Sequence, residues 1–300
     1  MKNKALFLNN FYLKLIAILS MTLDHVALFL VSFNFISDTS VIYTILRILG
    51  RIALPIFIYL LYEGVKHSTN IKKYLFRLGS LSLLIYLSIV IILLVIENNK
   101  SLSVPYFQNI FLTLFMLVLG YYLIFINKKK KYYFFLIPII GLFVISYIYE
   151  ILCSLNYVNS IYKIVFDGLT LMYPLESLLM FSSFILINFI YEKKVFKLIG
   201  KENGEAYLVT SKGQMNRNIF MCISIVITSL LCYLLTYIEG LPIVSFYVFE
   251  TYLVISIPFI IFYNGELGRQ NKITKRIFYL YYPIHFILIA IICLIINGGI

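Results

Sequence analysis

The chain has 300 residues, of which 62% are hydrophobic and only 13% charged, and its mean hydropathy is +0.95. That balance excludes a soluble globular domain and points to a polytopic membrane protein. The formal charge of +12 then reads as membrane topology and attraction to anionic headgroups, not as nucleic-acid binding.

Apolar runs of about 20 residues, the length that crosses hydrocarbon, divide the chain into about nine predicted spans. They cover residues 13–34, 41–62, 74–96, 104–126, 132–152, 168–190, 218–238, 243–263 and 277–297. Lys2 and Lys4 precede the first run as they would in a signal peptide. No small-residue cleavage site follows before Asp24, so the run is read as a retained span. Basic residues collect in alternate loops. One set runs through Lys14, Lys66, Lys72, Lys73 and Arg77, then 128–131, 193–217 and 269–276, whereas the opposite loops hold only Lys100 and Lys163 beside Asp38, Glu97, Glu150, Asp167 and Glu239. Lys and Arg in short loops stay on the cytoplasmic side. The expectation is one integral-membrane all-α bundle over residues 1–300, with the N-terminus inside, the C-terminus outside and a cytoplasmic loop at 192–217. That loop reads as a connector or small surface hairpin, with a donor-binding flap as the alternative. Cys153, Cys222, Cys232 and Cys293 lack paired spacing and read as small apolar residues, without a metal centre.

Ionisable side chains at membrane depth are costly and usually face a bundle interior or a wet cavity. Asp24 and His25 lie midway along the first span, Arg47 and Arg51 in the second, Glu176 in the sixth, Glu250 in the eighth and His285 in the ninth. Neighbours on a helix point about 100° apart, so Asp24 and His25 need different partners. Arg47 and Arg51 are four apart and share one face, at the depth Asp24 reaches from the other side. An ion pair from Asp24 to one arginine follows, leaving the second for Glu250, Glu176 or an anionic ligand. The bland alternative is a buried pair that only orders packing. Two imidazoles at matched depth, with two arginines and spare carboxylates, read as a site. Pro283, two residues before His285, removes a backbone donor, and Tyr281 and Tyr282 share that side of the helix; Pro55 does the same one turn beyond Arg51.

The stretches "MTLDH", "LRILGRIALPIF", "YEGVKHSTNIKKYLFRL", "NIFLT", "YNGELGR" and "FYLYYPIH", in this order through most of the chain, together resemble the TraX family, which is similar to the wider group of multi-span membrane acyltransferases. The resemblance implies an acyl-CoA donor, acetyl-CoA first, on the cytoplasmic side. It implies an acceptor peptide, pilin or glycan reached through the membrane or from outside the cell, and a multi-pass protein of the cell membrane, a bacterial cytoplasmic membrane. It also implies function at Asp24, His25, Arg47, Arg51, Glu63, Asn109, Thr113, Asn264 and His285.

Acyl transfer needs a base, oxyanion donors and positive charge for the donor's phosphates. His25 is the expected base, with His285 as the next candidate, and Asp24 fixes one arginine. Arg47 and Arg51, with Glu63, Asn109, Thr113, Glu250 and Asn264, are the expected substrate-binding set. Lys66, Lys72, Lys73 and Arg77, beside Thr69 and Asn70 as starters of the third helix, would hold CoA phosphates; the alternative is a headgroup-facing loop. A rival from another class is a transporter or flippase for an anionic solute or lipid-linked substrate, its arginines binding substrate and its histidines carrying protons.

Overall fold

The computed structural model describes residues 6–97, 108–127, 130–154, 166, 169–236, 248–269 and 271–296. Lys2, Lys4, Lys100, residues 128–129, Lys163, Asp167 and Glu239, and the predicted span ends at 104, 168, 238, 243 and 297, lie outside these residues. The described chain is helical, with two isolated backbone bridges, Leu8 to Tyr263 and Asn109 to Leu171. In chain order the helices are α1 (Asn10–Ser32), α2 (Val41–Gly50), α3 (Ala53–Lys66), α4 (Ile71–Glu97) and α5 (Ile110–Tyr121), which continues as a wider turn over Tyr122–Ile126. There follow α6 (Leu136–Ser154), α7 (Pro174–Ile199), α8 (Lys201–Leu208), α9 (Ser211–Leu235), α10 (Ile257–Ile261) and α11 (Lys272–Ile296).

Seven of these segments are long and apolar enough to cross a bilayer. The apolar stretches at Ile110–Ile126 and Val248–Ile261 lie inside the predicted fourth and eighth spans but are shorter. The chain is a helical membrane protein. Local chemistry sets several starts: side-chain oxygens of Asn9, Ser40, Asn70, Asn109 and Thr210 accept backbone N–H groups three residues on. Asn70 thus starts a helix as expected.

Helix α3 is the hub. It packs on α1, α5, α7 and the tight turn at Thr251–Ser256, and it buries residues on every side, including Ile56, Ile58 and Tyr59. A helix apolar all round belongs inside a bundle. Around it, α1 packs on α2 and α11, α4 on α5 and α11, and α7 on α6 and α9.

Four details differ from the sequence expectation. The second span is broken at Arg51 and Ile52, ahead of Pro55, whose ring cannot continue the hydrogen-bond ladder. Beside the break, the carbonyls of Leu49 and Gly50 accept from the Ser20 hydroxyl at 2.5 and 3.0 Å, and the Leu49 carbonyl also accepts from the N–H of Ile52. In the predicted sixth span the helix, α7, begins only at Pro174, because proline disfavours a helical residue before it. The connecting segment 192–217 is helical for most of its length, made of the end of α7, the short α8 and the start of α9, turning at Gly200 and at Val209. Finally, Glu150 and Arg217, read as loop charges, are buried in α6 and α9; Arg217 finds its partner, Glu63, on another helix, which loop assignment from hydropathy cannot see.

Gly50 sets the contact between α1 and α2. A Cβ there would stand 2.5 Å from both Cβ and Oδ1 of Asp24. Gly50→Ala should therefore cost about 1–3 kcal/mol through overpacking, read as a lower thermal midpoint in detergent; an unchanged midpoint would mean the two helices have slack.

Candidate functional site

The site is built on α1, which sends adjacent residues in two directions. Oδ1 of Asp24 accepts from Nη1 of Arg47 at 2.7 Å and lies 3.4 Å from Nη2 of Arg51. Nε of Arg51 is 3.2 Å from Oε1 of Glu250, and its Nη1 donates to the Tyr173 hydroxyl at 2.6 Å. Asp24, Arg51 and Glu250 are each at most 4% exposed. The two carboxylates match the two guanidinium groups, as the charge count required. Arg47 is the more accessible arginine, lying against the rings of Tyr43 and Phe249. Glu150 and Glu176 are also buried; both carboxylate oxygens of Glu150 and Oε2 of Glu176 have no hydrogen-bond partner among the described residues, while Oε1 of Glu176 accepts from the Cys232 thiol at 4.0 Å.

His25 turns the other way. Its Nδ1 is 2.8 Å from Nε2 of His285 on α11, and both rings are 4% exposed. Tyr282 meets the two imidazoles edge-on at centroid distances of 5.7 and 5.4 Å. The matched depth read from the sequence is thus a direct contact.

Two cavities converge on Tyr282. A vestibule of about 440 Å³ opens between α1, α3, α4 and α11, with Lys14, His67 and Arg77 among its polar lining and Phe57, Phe111 and Tyr282 among its apolar walls. A small chamber of about 20 Å³ lies on the other side, bounded by His25, Ser88, Gln108, Met172, Tyr282 and Phe286.

Of the expected phosphate-binding group, Arg77 lines the vestibule. Lys72 and Lys73 are exposed and are not part of its wall. Lys66 points to α7, where it pairs with Glu192 at 2.5 Å and reaches Asn188 at 3.4 Å. Lys14 and His67 were not singled out, since one sat among topology charges and the other in a loop.

The remaining motif residues hold the scaffold. Glu63 accepts from Arg217 at 2.5 Å, and Arg217 also donates to Tyr59, whose hydroxyl donates to Asn218. Arg217 was missed because it sits among loop lysines in the sequence. The Asn109 side chain caps α5 and donates to the Ser82 carbonyl at 2.8 Å. The Thr113 hydroxyl bonds both the N–H and the carbonyl of Met172, at 2.9 and 3.0 Å, and Ser146 accepts from Leu171 N–H. These bonds form a strap over residues 170–173 that ends in Tyr173 at φ 51°, a left-handed conformation that costs a non-glycine residue about 1–2 kcal/mol. Such strain persists only where the surroundings over-determine it, and Tyr173 is the residue that grips Arg51. Asn264 lies apart: its N–H donates to the Leu8 carbonyl at 2.8 Å, tying down the N-terminal segment.

Fold and site together define a helical membrane protein with an ion-paired cluster and a histidine pair buried between its spans. The chain belongs to the TraX family, whose description, TraX protein, matches residues 10–190. It is 50% identical over 68 residues to the "Probable fimbrial assembly protein FimC, serogroup H1" of Dichelobacter nodosus, a stretch that covers 23% of this chain and 26% of that relative. The chain therefore spans about a quarter of that relative's length. No solved structure matches.

Proposed function

We propose that the protein is a membrane-embedded acyltransferase that moves an acyl group, acetyl first, from cytoplasmic acyl-CoA to an amine or hydroxyl of an exported peptide, pilin or glycan. The observation that carries this reading is the histidine pair held edge-on by Tyr282, a residue that also walls a vestibule lined by Lys14, His67 and Arg77. A CoA thioester is long, anionic at one end and reactive at the other. Lys14, His67 and Arg77 suit its phosphates, the apolar walls its pantetheine arm, and Tyr282 stands where the arm would meet His25. His25 takes the proton of the attacking amine or hydroxyl as the new bond to the thioester carbonyl forms, and Arg47, the more accessible guanidinium, supplies charge for an anionic acceptor group or intermediate. The small chamber on the far side of Tyr282 supports access for the acceptor from the opposite face. The relative's name makes a fimbrial subunit the first acceptor to try, and the basic loops favour a cytoplasmic membrane with the N-terminus inside.

The test is turnover of acetyl-CoA by the purified protein in detergent with candidate pilin peptides and glycans. Arg77→Ala and Lys14→Ala should each raise KM for acetyl-CoA by about 5-fold to 30-fold, as loss of a phosphate contact worth about 1–2 kcal/mol predicts. An intact thioester with every acceptor class, alongside substrate movement in vesicles, would instead make the protein a transporter.

A further inference from the structure

The hydrogen bonds through the histidine pair have a direction that the acceptors impose. Nδ1 of His285 is 2.9 Å from the backbone carbonyl oxygen of Tyr281, and a carbonyl oxygen only accepts, so this nitrogen carries the hydrogen. A neutral imidazole has one such hydrogen, which leaves Nε2 of His285 as a lone pair. Nδ1 of His25, 2.8 Å away, must then be the donor. Nε2 of His25 is the lone pair left at the end of the chain.

Ring geometry agrees. The imidazoles are parallel within 5° with centroids 5.1 Å apart, while their nitrogens approach far more closely. Parallel rings in that relation meet edge to edge, so the N–H of one points along the lone pair of the other. The support behind His285 has the same logic. The Thr22 hydroxyl donates to the Ile18 carbonyl at 2.8 Å, so the Tyr281 hydroxyl, 2.8 Å from it, donates to Thr22. Tyr281 also lies flat on His285, 8° from parallel. One tyrosine thus clamps α11 to α1 and presents the carbonyl that orders the pair.

We propose that His285 is a positioning residue: it fixes His25 in the Nδ1–H tautomer, with Nε2 bare, and stores the proton that His25 removes. The proton-storage step rests on the acyltransferase reading; the tautomer does not. As the acceptor's N–H or O–H group adds to the thioester carbonyl, its proton goes to Nε2 of His25, and the hydrogen on Nδ1 of His25 moves to Nε2 of His285. His285 is then an imidazolium whose two N–H groups face His25 and the Tyr281 carbonyl. When the C–S bond breaks, the CoA thiolate takes the proton from Nε2 of His25, and His285 returns its hydrogen to Nδ1. The sum is acceptor–H plus acyl-CoA giving acylated acceptor plus CoA thiol, and both rings end as they began.

The chain has three histidines, so the tautomers are accessible to ¹H–¹⁵N correlation spectra of the full-length protein in detergent, labelled at histidine nitrogen and assigned by His67→Gln. At neutral pH, His25 and His285 should each show hydrogen on Nδ1 and none on Nε2. His285→Phe keeps an aromatic ring but offers no acceptor, and should convert His25 to a mixture of tautomers and lower acetyl transfer about 100-fold. A wild-type His25 carrying hydrogen on Nε2 would overturn the proposal without any variant, and so would a His285→Phe spectrum in which His25 is unchanged. Expected spectra with no acetyl transfer by the wild type would overturn the acyltransferase reading and the proton-storage step while leaving the tautomer standing.

Discussion

Asp24→Ala should destabilise the protein by about 3–5 kcal/mol, because it leaves the buried Arg51 and the partly buried Arg47 with one carboxylate, Glu250, which contacts Arg51. The measurement is thermal unfolding in detergent, with the midpoint expected to fall well below that of the parent. The geometry also predicts partial relief. Arg47 makes its shortest charged contact with Asp24, so adding Arg47→Gln to the Asp24 variant should recover part of the loss, whereas two independent sites would simply add. A midpoint unmoved by Asp24→Ala would show that the cluster contributes nothing to stability.

The largest effect on activity is expected at His25. His25→Ala removes the proposed base and should reduce acetyl transfer by about 10²-fold to 10⁴-fold, and because the ring is buried against Tyr282, His285 and Phe286 it should also lower the thermal midpoint. Single-turnover assays on detergent-purified protein, held well below that midpoint, would check this. Near-normal transfer by both His25→Ala and His285→Ala would remove the histidine pair from the chemistry.

Much of this site could be read in the sequence because charges inside apolar runs are conspicuous. Asp24, Arg47, Arg51, His25 and His285 stand out against leucine and isoleucine, and helical periodicity says which of them share a face. Depth pairs Asp24 with one arginine and sets the two imidazoles level, whereas the second arginine's approach to Asp24 and the contact between the imidazoles come from the packing of the helices. Three things did not follow. Tyr173 is one of many tyrosines, and its role comes from a left-handed backbone that no propensity forecasts. Arg217 lies next to lysines that do face outward, so only the fold distinguishes it. The break at Arg51 was hinted at by Pro55, but its acceptor-rich end became meaningful only once Ser20 was seen to fill it. Periodicity sees one helix at a time; each of these features belongs to a pair.

The strap at residues 170–173 serves two masters. Its last residue holds Arg51, and Met172 walls the chamber beside His25, while Thr113 secures the peptide groups between them. Substitutions that loosen this short stretch would therefore disturb charge and shape at once, and evolutionary change in the pocket's volume has to travel with change in its electrostatics.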